Sequence, residues 1–159
     1  MAQLLRIKIV IVNTLRLFCF SLLALLGTAH AANVEFKSIG LTAAIMFDVP
    51  SQRGRKMFIA PPGMPLEIVV VSGEWSRVRD LTGELSWVES RALSNQRNLI
   101  VEVPQVTVRA TASESGVAVF TASKGVLLEL AEPITSSWIK VKHRDGETGY
   151  LKASEVWGE

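Results

Sequence analysis

"WIKVKHRDGETGYLKASEV", residues 138–156, decides the fold. On either side of Asp145-Gly146 the side chains alternate between apolar and polar. Successive side chains of a strand point to opposite faces. A three-residue hairpin loop places its last residue in the left-handed conformation, which suits glycine. A loop of Arg144 to Gly146 therefore pairs His143 with Glu147. Ile139, Val141, Gly149 and Leu151 then share one face, and Trp138, Lys140, Tyr150 and Lys152 share the other. A two-residue loop would set Val141 opposite Tyr150. The three-residue register keeps the apolar residues of both strands together and both lysines outside, so it is the one the pattern predicts.

The hairpin occurs twice. "WSRVRDLTGELSWVESRAL" (75–93) lies over it at a constant offset of 63, matching Trp75 to Trp138, Val78 to Val141, Gly83 to Gly146 and Glu84 to Glu147. Upstream, "AIMFDVPSQRGRKMFIAPPGMPLEI" (44–68) lies over "VTVRATASESGVAVFTASKGVLLEL" (106–130) at an offset of 62. Ser51/Ser113, Gly54/Gly116, Phe58/Phe120, Ala60/Ala122, Gly63/Gly125, Leu66/Leu128 and Glu67/Glu129 coincide there. A register this long, broken by one inserted residue, marks an internal duplication. Each copy spans about 55–60 residues, the low end for an independent domain. The expected division is 32–95 for the first domain and 96–159 for the second, with the short polar stretch "NQRNLI" (95–100) as the boundary. Brief segments rich in Val, Ile and Leu, punctuated by "PPGMP", "LTGE", "SKG" and "RDGE", indicate a small all-β barrel or sandwich per copy.

Residues 1–31 read as a secretory signal peptide. Arg6, Lys8 and Arg16 precede the apolar run "LFCFSLLALLG", and Ala29 and Ala31 flank His30 in a small-x-small cleavage pattern. The run is shorter than the roughly 20 residues that span a bilayer. An uncleaved anchor is the alternative, and membrane contact is expected only through it. Bulky Leu17 and Phe18 before Cys19 do not fit a lipoprotein signal. The expected location is the periplasm or cell envelope.

Loss of the leader changes the charge. The 17 basic residues fall by three to 14 against 15 acids, so the net charge passes from +2 to about −1. A near-neutral chain has no electrostatic case for nucleic acid. The sole cysteine, Cys19, leaves with the leader, which excludes disulfides and thiol catalysis from the remainder. One histidine, His143, remains, too few for the usual zinc sites. No nucleophile elbow or phosphate-binding glycine loop is present. No cofactor, metal or enzymatic activity is therefore expected. A glycan hydrolase would need converging acids, and Glu84 and Glu147 occupy matching turn positions, which points to a structural role for both. The basic loop "QRGRK" (52–56) belongs to the first copy alone.

What is unusual is the polar face. With Leu81 to Gly83 as the loop, Ser76, Val78, Ser86 and Val88 face one way, and Trp75, Arg77, Trp87 and Glu89 the other. Each copy thus sets two aromatic rings among charges: Trp75 with Trp87, and Trp138 with Tyr150. Such rings offer large contact area at low entropic cost. Three uses are open to them: ligand contact, packing between the copies, or a cover over the core.

Both copies resemble the bacterial Src-homology-3 (SH3-like) domain found in tandem in exported proteins. The resemblance rests on "VR" at 108–109, Gly125 before "LLEL", "WIKV", "RDGETGYL" and the closing "VWG", and it covers about residues 36–158. The first copy departs from it with Phe47 in place of Arg, Ser86 in place of Gly and "LTG" in place of "DG". The resemblance implies an all-β fold of two tandem five-stranded barrels that bind peptide or peptidoglycan without catalysis. It implies that Trp138 and Tyr150, and by correspondence Trp75 and Trp87, line the ligand groove. The expected partner is peptidoglycan stem peptide or another peptide. The alternative is an assembly protein that binds another exported protein through the same aromatic surfaces.

Overall fold

Every strand of the second copy contributes to one apolar cluster. The computed structural model describes residues 34–159, so the signal peptide and its cleavage after Ala31 lie outside the described residues. The first sheet contains β1 (Glu35–Ile39), β2 (Ala44–Phe47), β3 (Lys56–Ala60), β4 (Pro65–Ser72), β5 (Trp75–Arg79), β6 (Leu85–Glu89) and β7 (Leu93–Ser94). The second contains β8 (Asn98–Val101), β9 (Gln105–Arg109), β10 (Ala118–Ser123), β11 (Leu127–Leu130), β12 (Trp138–Lys142), β13 (Thr148–Lys152) and β14 (Val156–Trp157). One 3-10 turn, Ser90–Ala92, precedes β7, and another, Ala153–Glu155, precedes β14. The strand orders are β3-β2-β6-β5-β4-β1-β7 and β10-β9-β13-β12-β11-β8-β14, and all pairings are antiparallel.

The duplication holds register by register. Ala44 faces Ala60 as Val106 faces Ala122. Ile39 faces Leu93 as Val101 faces Val156. Phe47 faces Trp87 as Arg109 faces Tyr150. Even the β-bulge that separates β2 from regular pairing with β3 recurs between β9 and β10. The copies differ where β4 runs on through Val70–Ser72 to pair with Trp75–Arg77, while β11 ends at Leu130.

Leu99, Val101, Val106, Val108, Ala122, Leu128, Ile139, Val141, Leu151 and Val156 form the second core. They come from all seven strands, so the sheet must curve around them. Ile39, Ala44, Met46, Ala60, Leu66, Val78 and Val88 form the first core. Burial of this apolar surface is the main stabilising term, since the described residues include no cysteine.

Two features go beyond the sequence expectation. Each sheet has seven strands where the resemblance implies five, because β1 and β8 precede the five and two-residue strands β7 and β14 follow the 3-10 turns. The stretch 95–100 is also more than a boundary. Its end belongs to β8, and Leu99 is fully buried. Its polar residues tie the copies together. Asn98 donates its backbone N–H to Ser38 Oγ (2.9 Å) and its side-chain amide to the Gly63 carbonyl (3.1 Å). Arg97 donates to the Gly158 carbonyl (2.8 Å) and lies over the Phe36 ring.

Candidate functional site

The hairpins adopt the three-residue register. In the second copy Ile139 faces Leu151, Lys140 faces Tyr150 and Trp138 faces Lys152. The turn closes with His143 N–H on the Glu147 carbonyl (2.8 Å) and Gly146 N–H on the His143 carbonyl (2.9 Å). Gly146 has φ +95°, and Gly83, its counterpart, has φ +86°, a region that L side chains rarely adopt. In the first copy Arg77 faces Trp87 and Trp75 faces Glu89. Ser76, Val78, Ser86 and Val88 are buried, whereas Trp75 and Trp87 are half-buried and lie outside the core cluster. Trp138 and Tyr150 are likewise half-buried and outside theirs. Strand parity has put the rings on the outer face.

In the first copy the outer face opens into a cleft of ≈ 570 Å³. Ile45, Phe47 and Ala92 give it apolar walls, and Gln52, Lys56, Glu89 and Arg91 a polar rim. A second compartment of ≈ 340 Å³ adjoins it through Gln52, Glu89 and Arg91, and is lined by Trp75 and Glu74. Phe47 meets Trp75 edge to face at 5.4 Å. That contact explains why an outward-pointing phenylalanine is only 5% exposed. Four elements build the rim: the β2–β3 loop, the start of β3, the end of β6 and the 3-10 turn. Gln52 donates to Glu89 Oε1 (2.6 Å), and Arg91 Nε donates to Glu89 Oε2 (2.9 Å). These two bonds, that from Gln52 foremost, hold the Glu89 carboxyl below the usual carboxylate range.

The second copy has the corresponding cleft at Gln105, Thr107, Arg109, Glu114, Trp138, Lys152 and Glu155. It encloses only ≈ 140 Å³. Arg109 stands where Phe47 stands in the first copy and donates to the Gly116 carbonyl (2.9 Å). Lys152 stands where Glu89 stands, and Glu114 where Gln52 stands; the two form an ion pair across the cleft. The Lys152 ammonium also lies over the Trp138 ring, 5.9 Å from its centroid. The Lys140 ammonium lies over the Tyr150 ring at the same distance.

The pattern of matches to known proteins follows the same duplication. The model of the family described as "Bacterial SH3 domain" matches residues 42–95 and again 102–158. The chain belongs to the bacterial SH3 domain family. No curated protein matches it. Among solved structures, NlpC2 from Trichomonas vaginalis is similar at 10% identity and a TM-score of 0.39, over 82% of this chain and 50% of that one. NlpC1 from the same organism is similar at 11% identity and 0.38, over 83% and 48%. An NlpC/P60 family protein from Bacillus cereus is similar at 15% identity and 0.36, over 77% and 55%. This bacterial SH3 chain thus spans about half the length of the solved structures it matches.

Of the four aromatic residues singled out by parity, Trp75 and Trp138 line clefts. Trp87 and Tyr150 lie one register step away, opposite Phe47 and Arg109. Phe47, Gln52, Glu89 and Arg91 were not singled out for the site. The departure of Phe47 from the family pattern and the outward parity of Glu89 were the signals in the sequence; Gln52 and Arg91 meet Glu89 through loop closure. Glu84 and Glu147 both sit in hairpin turns, as their repeat positions imply. His143 is turned onto Asp145 (3.0 Å) and the Phe120 ring. Among the described residues no group of three His, Cys, Asp or Glu side chains is placed to hold a metal ion.

Proposed function

We propose that this bacterial SH3 chain is a non-catalytic cell-envelope module, with domains at 32–95 and 96–159, that binds peptide or peptidoglycan stem peptide. Trp75 and Trp138 supply the ring surfaces, and Trp87 and Tyr150 flank them. The observation that carries this reading is the repeated cleft. Both copies place a tryptophan outside the core, beside a polar rim made by the same loop and the same 3-10 turn. A ring on the rim of a concave site gives affinity through area, and the charged neighbours give orientation. The leader pattern supports the envelope location.

The test is a titration of purified sacculi and soluble muropeptides followed by tryptophan fluorescence. Wild type is expected to respond, and Trp75→Ala with Trp138→Ala to lose the response. A silent wild type would remove the wall-ligand reading.

A further inference from the structure

The two clefts occupy the same place in the repeat but differ in chemistry. In the second, the ring face of Trp138 already carries the Lys152 ammonium, and Glu114 ties that ammonium to the opposite loop. Arg109 fills the floor and anchors the same loop at Gly116. A ligand would have to break an ion pair and a cation–π contact to reach the ring. In the first, Phe47 replaces the arginine, the floor is apolar, and the volume is ≈ 570 Å³ against ≈ 140 Å³. The rim ties also differ. Glu89 is engaged by Gln52 and Arg91, which leaves the cationic side of the rim to Lys56. Among the described residues neither Lys56 nor Arg53, three positions before it in the basic loop, has an ion-pair partner. Glu74 lies at the other end, beside Trp75.

We propose that the first copy's cleft is the one that accepts ligand, and that the ligand is a peptide segment with a carboxylate next to an apolar side chain. The inference rests on the peptide-binding reading above and assigns its site and chemistry. The apolar side chain packs on Ile45 and Ala92, above the floor that Phe47 closes. The carboxylate meets Lys56, the unpaired cation of the rim, and lies away from Glu74. The second copy, with its cleft tied shut, does not compete for this ligand.

The experiment uses the full chain, labelled with 15N, and two blocked tetrapeptides, Ala-Leu-Asp-Ala and Ala-Leu-Asn-Ala. Expected are amide shifts at Ile45, Phe47, Lys56 and Ala92, with those of Arg109, Glu114 and Lys152 unmoved. The aspartate peptide should bind about threefold more tightly at low salt, the size of an exposed charge pair. Lys56→Gln should erase that preference, with the loss falling mainly on the aspartate peptide. Equal affinity for the two peptides, or shifts centred on Arg109 and Lys152, would overturn the assignment. If neither tetrapeptide binds while muropeptides still do, the ligand chemistry proposed here falls and the wall-binding reading stands. If muropeptides also leave every amide unmoved, both fall.

Discussion

The rings of Phe36 and Trp157 meet edge to face, with centroids 5.0 Å apart and planes at 84°. Phe36 lies on β1 of the first copy and Trp157 on β14 of the second. The strands that exceed the expected five thus supply this contact between copies, with the Arg97 guanidinium over the Phe36 ring and donating a hydrogen bond to the Gly158 carbonyl. Aromatic packing between copies, one of the three uses open to an outward ring, falls to this pair.

A double-mutant cycle of Phe36→Ala and Trp157→Ala, read by urea unfolding, should give a coupling of about 1 kcal/mol, the value of a T-shaped aromatic pair. Strictly additive losses would mean that the rings act on stability separately.

Asp80 and His143 hold the same position in the two hairpins, but only the Asp80 side chain accepts from the backbone of its turn. One Oδ1 atom accepts from Thr82 N–H (2.8 Å), Thr82 Oγ1 (2.7 Å) and Glu84 N–H (3.0 Å). The residue is 8% exposed. Asp80→Ala should cost about 1–3 kcal/mol, because part-buried donors lose their acceptor. His143→Ala should cost less, since backbone bonds close its turn and its side chain adds a single contact with the exposed Asp145 carboxylate. Urea midpoints of the two variants check the order, and a larger loss from His143→Ala would reverse it.

The rim ties differ in their response to pH. The Glu114 carboxyl is held below its ordinary 4.5 chiefly by its hydrogen bond with Lys152, and the Lys152 ammonium is held above its ordinary 10.5 by the same bond. A lowered acid contributes above its ordinary value and loses that contribution as pH falls through the folded one. A raised base contributes below its ordinary value and loses that contribution as pH rises through the folded one. The second tie therefore opens on both sides: as pH falls below 4.5, and again as it rises past 10.5. In the first copy Glu89 is lowered and the amide of its foremost partner, Gln52, does not titrate, so that tie opens only in acid. The indole N–H resonance of Trp138 should shift at both extremes and that of Trp75 only at the acid one. An alkaline shift of Trp75 equal to that of Trp138 would contradict this.

Local pairing was legible in the sequence, and long-range closure was not. Hairpin register follows from Gly83, Gly146 and the parity of their neighbours, all within a few residues, so the outer placement of Trp75, Trp87, Trp138 and Tyr150 could be derived. The duplication then carried the result from one copy to the other. β8 was hidden because "NLIV" is short and follows polar residues, and its partners on β11 and β14 lie far along the chain. The cleft was hidden for the same reason. Gln52, Glu89 and Arg91 meet only when a loop and a 3-10 turn fold over the sheet edge. Parity sends Phe47 outward, where the ring of Trp75, 28 positions later, packs against it.

Leu151 and Trp138 belong to neighbouring strands of one hairpin but to opposite faces. Leu151 has no exposed surface and packs in the second core, whereas the Trp138 ring lies outside that core under the Lys152 ammonium. Leu151→Ala should cost about 2–5 kcal/mol, as cavity-forming substitutions do. Trp138→Ala should cost about 1–2 kcal/mol, from partial ring area and the cation–π contact. The far-ultraviolet circular dichroism of Trp138→Ala should remain that of the wild type, and its urea midpoint should lie well above that of Leu151→Ala. Equal midpoints would mean that the indole supports the interior as much as the leucine does. It could then not serve as a ring surface on the rim of a site.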